Sequence, residues 1–157
     1  MTEPVVYRAA DGYWAGMNPD DIMHMTEAWM GGMGHVPLRG DFDGDGLDDP
    51  ALYAPDTGAW LGMMSASGYR LCSGTWGGPD WIAVPADYDG DGRIDPAIFS
   101  RLTGAWAFLL SSGATGPVGQ NYCYYLSGFM GMPDGMPCAA DFDGDGRADP
   151  ALHHPPT

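Results

Sequence analysis

Short apolar runs and tight turn signals alternate along the whole chain. VVY (5–7), ALY (51–53) and AIF (97–99) each follow a proline. A glycine comes next, at Gly12, Gly58 and Gly104, and two residues on a tryptophan, at Trp14, Trp60 and Trp106. A second run follows, such as AWLGMMSA (59–66) or AWAFLLSS (105–112), and then a third: IMHMTEAW (22–29), YRLCSGTW (69–76) or YCYYLSGF (122–129). A last short run leads into a cluster of aspartates. Runs this short, bounded by Gly, Pro, Asn and Asp, predict β-strands joined by turns. DDIMHMTEAWM (20–30) read alone has the look of a helix, but its alignment with the two other third runs predicts a strand.

The order repeats. Pro4, Pro50, Pro96 and Pro150 mark four starts, at intervals of 46, 46 and 54 residues; the third repeat is longer because GATGPVGQ (113–120) stands where a tight turn would suffice. Four short strands every 40–50 residues is the signature of a β-propeller blade. The expectation is an all-β fold in one domain, 1–157, with four-stranded repeats at about 4–49, 50–95 and 96–149 and a leftover strand at 150–157. One such sheet cannot bury its own faces, so neighbours must stack, and the recurring Trp and Met become inter-blade core. Closed propellers typically have about four to eight blades. Three repeats and an unpaired strand therefore predict a ring completed by association of copies, since free strand edges invite pairing.

Composition narrows the chemistry. With 25 Gly and 14 Pro in 157 residues, long helices are disfavoured. A formal net charge of −15 excludes nucleic acid as a partner, and no apolar run reaches the length of a membrane span. MTEPVVYR lacks the charged and apolar regions of a secretory signal. Cys72, Cys123 and Cys138 are odd in number and read as free, partly buried thiols. No nucleophile elbow, phosphate-binding glycine motif or zinc-protease motif is present, and Glu3 and Glu27 are isolated, so no enzyme is expected. Trp81, Tyr124 and Tyr125 read as exposed aromatics able to stack on a sugar.

The negative charge is clustered. DFDGDGLDD (41–49), DYDGDGRID (87–95) and DFDGDGRAD (141–149) each follow D-x-D-G-D-G-x-x-D. Four carboxylates in nine residues repel one another without a cation. A tight loop, freed by its glycines, turns positions 1, 3 and 5 toward one point. These are Asp41, Asp43 and Asp45; Asp87, Asp89 and Asp91; and Asp141, Asp143 and Asp145. The position-7 carbonyl (Leu47, Arg93, Arg147) adds an oxygen, and the last aspartate (Asp49, Asp95, Asp149) closes the shell. Carboxylate and carbonyl oxygens in a flexible loop suit Ca2+ better than Mg2+, and the absence of Cys and His from the loops argues against zinc. Position 12 is Leu52, Ile98 or Leu152, not the Glu an EF-hand requires. Position 2 (Phe42, Tyr88, Phe142) is expected to point inward and anchor each loop. Three Ca2+ would bring the formal charge from −15 to −9.

These loops, with the strands PALY, PAIF and PALH after them and TGAW following in two cases, resemble the FG-GAP/VCBS family, the calcium-loop blades of integrin α-subunit propellers and bacterial surface proteins. The resemblance covers almost the whole chain. It implies a β-propeller with Ca2+ held by the four aspartates of each loop, and a location outside the cytoplasm, extracellular or periplasmic. The family's Phe-Gly pattern is not evident here. Two functions follow as expectations. One is a self-assembling structural module, a homo-oligomer in which three Ca2+ staple successive blades, with affinity of order 10⁻⁴–10⁻³ M. The other is a calcium-dependent recognition module, a lectin or adhesion domain with a glycan or protein ligand.

Overall fold

The computed structural model describes residues 5–16, 28–112, 123–125 and 135–154. Every regular element in it is a strand except for one 3-10 turn at Ser65–Ser67. Among the described residues no helix is long and apolar enough to cross a membrane.

The strands form four small antiparallel sheets in chain order. The first holds β1 (Val5–Arg8), β2 (Tyr13–Gly16) and β3 (Ala28–Trp29). In the second, β4 (Val36–Leu38), β5 (Ala51–Ala54), β6 (Ala59–Met64) and β7 (Arg70–Thr75) lie side by side in that order. The third repeats this plan with β8 (Trp81–Ala83), β9 (Ala97–Ser100), β10 (Trp106–Leu110) and β11 (Cys123–Tyr125). The fourth has two strands, β12 (Met136–Ala140) and β13 (Asp149–His153). The run 22–29 is described only at its end, where Ala28 and Trp29 pair with Trp14 and Tyr13. GATGPVGQ and most of YCYYLSGF lie outside the described residues.

The strands do not divide as the prolines suggest. The sequence places the run before each aspartate cluster in the same sheet as the three runs preceding it. It instead pairs forward, β4 with β5, β8 with β9 and β12 with β13. Each aspartate loop is therefore the turn of a hairpin inside one sheet. The tether is short: Asp49 N–H donates to Gly40 C=O at 2.7 Å, and Asp95 N–H to Ala86 C=O at 2.8 Å. A nine-residue loop whose ends are bonded in this way holds its two flanking runs side by side.

Hairpin geometry explains a second shift. The sequence aligns Trp29 with Trp76, but the structure aligns Met30 with Trp76. Met30 N–H donates to Gly12 C=O and Trp76 N–H to Gly58 C=O, both at 2.8 Å. The carbonyls of the same two residues accept from the Nε1–H of Trp14 and Trp60. The acceptor is a backbone atom, so the side chain at that position is free to differ.

β5 and β9 are buried at every residue. Each lies between two strands of its own sheet and also packs between sheets, which is why ALYA and AIFS read as apolar runs without alternation. Two clusters form the core. Trp14 and Met30 of the first sheet meet Leu52 and Met63 of the second. Val84, Phe99, Trp106 and Phe108 of the third meet Ala139 and Leu152 of the fourth. At the joints, glycine lets backbone approach side chain: a Cβ on Gly31 would lie 2.2 Å from Leu52 Cδ1, and one on Gly77 2.6 Å from Tyr53 Oη.

β7 is exposed throughout, including Cys72, and Cys138 on β12 is exposed as well. Both were expected to be partly buried. They lie on an outer strand and on a two-stranded sheet, where no neighbour covers them.

Candidate metal centres

All three loops turn their carboxylates toward common points. Oxygens of Asp41, Asp43 and Asp45 lie within 4.8 Å of one another, as do those of Asp87, Asp89 and Asp95, and those of Asp141, Asp143 and Asp149. The turns are made by glycines at positive φ, for example Gly44 at 84° and Gly46 at 88°, a region where other residues are strained.

The same hydrogen bonds recur in each loop. Position 1 accepts from the N–H of positions 4 and 6: Asp41 from Gly44 and Gly46, Asp87 from Gly90 and Gly92, Asp141 from Gly144 and Gly146. These bonds from Gly146 and Gly144 hold the Asp141 carboxyl below its ordinary range. Position 5 accepts from position 7 at 2.9 Å in all three loops. Position 9 reaches back to the N–H of position 2: Asp49 to Phe42, Asp95 to Tyr88 and Asp149 to Phe142. The position-7 side chains Leu47, Arg93 and Arg147 point away from this bonding; only their backbones take part.

Two loops have a second wall that the motif does not reveal. The end of β6 closes the first. Ser65 N–H donates to Asp49 at 2.7 Å, Ser65 Oγ to Asp45 at 2.8 Å and Ala66 N–H to Asp43 at 2.9 Å. The end of β10 closes the second in the same way. Ser111 N–H donates to Asp95, Ser111 Oγ to Asp91 and Ser112 to Asp89. The signal was present in the repeat, since MMSA and LLSS put a serine 16 residues after Asp49 and Asp95. Among the described residues the third loop has no such wall.

This difference shows in burial. Asp49 and Asp95 are fully buried carboxylates. Burial pushes both above the ordinary carboxylate range, against the pull of the serine and aromatic N–H donors. Phe42 is buried, and Tyr88 packs on Phe108 with ring centroids 4.6 Å apart while donating its hydroxyl to Val84 C=O. Phe142 is 64% exposed and does not anchor its loop as expected; among the described residues β13 has a strand on one side only.

Successive loops touch. Ile94 N–H donates to Asp41 C=O, and Ala148 N–H to Asp87 C=O, both at 2.7 Å. Arg93 lies over Gly44, where a Cβ would sit 2.6 Å from its Nε, and Arg147 lies over Gly90. The loops thus form a column along one side of the stacked sheets. Arginine stands at position 7 where a preceding loop lies beneath it; the first loop has none beneath and carries Leu47, which is exposed.

Comparison of the chain with protein-family models, with curated proteins and with solved structures finds no match in any of the three. The class rests on the fold and the site: an all-β protein of four small antiparallel sheets, with three aspartate clusters able to hold metal ions.

Proposed function

We propose that the chain is a calcium-stabilised structural module of β-propeller type, of the FG-GAP/VCBS kind, whose copies associate. Its stacked sheets act as blades. Ca2+ in each aspartate loop fixes a hairpin within a blade, and contact between loops extends that rigidity to the next blade. The observation that carries the reading is the buried carboxylate of Asp95, clustered with those of Asp87 and Asp89, with Asp49 buried at the matching position of the first loop. A buried anion is costly unless a cation compensates it. The ion pair Arg8–Asp11 lies outside these loops. A hard divalent ion supplies what the protein's own side chains do not. Calcium suits a loop of many carboxylates and backbone oxygens, whereas Mg2+ retains water and a strict octahedron. A need for millimolar calcium suits a location outside the cytoplasm.

The test is thermal unfolding in millimolar Ca2+ and in chelator, with calorimetric titration. Each site held at 100-fold over its Kd adds about 2.7 kcal/mol. Three sites should therefore raise Tm strongly and bind three Ca2+ per chain. Identical melts with no heat of binding would sink the reading.

A second reading is recognition, and one feature favours it. A cleft of about 500 Å3 is lined by Trp81, Tyr53, Val36 and Leu102 together with Asp80 and Arg101. Asp80 holds a left-handed φ of 71°, an uncommon conformation that recurs at ligand-binding positions. An aromatic beside charged hydrogen-bonding groups suits a glycan. If so, binding to a glycan array in saturating Ca2+ disappears in Trp81→Ala while the melting curve is kept. An array with no hits removes this reading.

A further inference from the structure

Successive loops touch through the residues that close them. Ile94, position 8 of the second loop, donates its N–H to the C=O of Asp41, position 1 of the first, at 2.7 Å; Ala148 donates to Asp87 in the same way. The Ile94 side chain sits on Gly40, where a Cβ would overlap its Cγ1. Gly40 is also the residue whose carbonyl takes the Asp49 N–H and ties the first hairpin. At the next joint the residue before the loop is Ala86, which carries a Cβ, and the residue laid against that loop is Ala148, which is smaller. The two positions change together, so each loop is seated on the one before it. Arg93 and Arg147 add their stems, laid over Gly44 and Gly90.

We infer that the metal loops do not bind independently: occupation of one strengthens its neighbour through these seats, with Ile94 as the positioning residue of the first. The inference rests on the calcium reading above and adds how its sites act on one another. The reason is entropy. Ile94 lies between Arg93 and Asp95, which in that reading supply oxygens to the second loop's cation. Its acceptor, Asp41, belongs to the first loop's cluster. Fixing either loop therefore fixes one side of the same 2.7 Å bond. The neighbour then has less freedom left to lose when it binds. Coupling of this kind typically amounts to about 5- to 150-fold in affinity, and linkage makes it equal in both directions.

The test is a Ca2+ titration of the full chain followed by amide-resolved NMR and read at Gly46, Gly92 and Gly146. Each of these N–H groups donates to the first aspartate of its own loop, so each reports one site. Asp43→Asn weakens the first loop at a carboxylate that takes no part in the joint. It should raise the Ca2+ midpoint at Gly92 by about 5-fold or more. Asp89→Asn should raise the midpoint at Gly46 by the same factor, and that at Gly146 as well. Ile94→Ala keeps every carboxylate and every N–H. In that background the effect of Asp43→Asn on Gly92 should largely vanish, and Ile94→Val should restore it. A purely structural role for Ile94 would shift the melt without touching this crosstalk. A wild type whose three glycines ignore Ca2+ overturns the calcium reading and this inference together. Glycines that respond, with midpoints indifferent to the neighbouring loop's substitution, overturn the coupling and leave calcium binding standing. Crosstalk undiminished in Ile94→Ala overturns the role given to Ile94.

Discussion

Trp106→Ala should lower the melting temperature by about 6–20 °C, the largest loss from any one of the three repeat tryptophans. The side chain is fully buried. It stacks on Phe108 with planes 5° apart and centroids at 5.9 Å, and leans on Phe99 at 5.2 Å. Removing a buried indole deletes its transfer free energy and leaves a cavity that two rigid neighbours cannot collapse into. Such changes cost about 3–5 kcal/mol. In a domain of this size each kcal/mol is worth about 2–4 °C. Trp60→Ala is the comparison. Trp60 stands at the same place in its repeat but is half-buried, tilted on Tyr53 and Trp76. Its loss should be clearly smaller. Equal losses would show that the buried cluster of the third and fourth sheets is no tighter than the flank of the second.

That ranking was not legible in the sequence, where the three tryptophans stand at the same place in each repeat. Periodicity reports that a residue faces a neighbouring sheet; it does not report how much of that neighbour is present. The same limit explains Phe142. Its loop is nearly a copy of DFDGDGLDD, yet Phe42 is buried and Phe142 is exposed, because burial at position 2 needs the strand beyond the hairpin. The strands themselves were legible, because short apolar runs between Gly and Pro leave few alternatives. The partner of each strand was not. Proline marks where a run starts, whereas pairing is set by the loop that brings two runs together, and here that loop is the aspartate cluster. The aspartate clusters were legible, being local in sequence; which three of the four carboxylates in each loop come together was not, and it differs between the first loop and the other two. Ser65 and Ser111 were missed because they reach the loops from another strand, 16 residues on, and only the fold brings them back.

Asp95 offers the sharpest test of how that wall and the cation work together. Its carboxylate accepts from Ser111 N–H at 2.6 Å and Tyr88 N–H at 2.8 Å, in a fully buried position. Asp95→Ala leaves two buried donors without an acceptor, at about 1–3 kcal/mol each. In chelator this loss is partly offset, because burial already opposes the ionised form and the substitution removes an uncompensated anion. In Ca2+ there is no offset: the anion is compensated, and its removal also takes a ligand from the second loop. At 100-fold over Kd a lost site adds about 2.7 kcal/mol to the penalty. The drop in Tm should therefore be several degrees in chelator and about twice that in Ca2+, with bound Ca2+ falling from three to two per chain. Asp91→Asn is the control. Asp91 is exposed and keeps an amide oxygen for Ser111 Oγ, so it should weaken calcium binding with little change in the chelator melt. If Asp95→Ala costs the same in both conditions, with three Ca2+ still bound, the buried carboxylate closes the hairpin and is no part of a metal shell. The second loop would then hold its Ca2+ through its other aspartates.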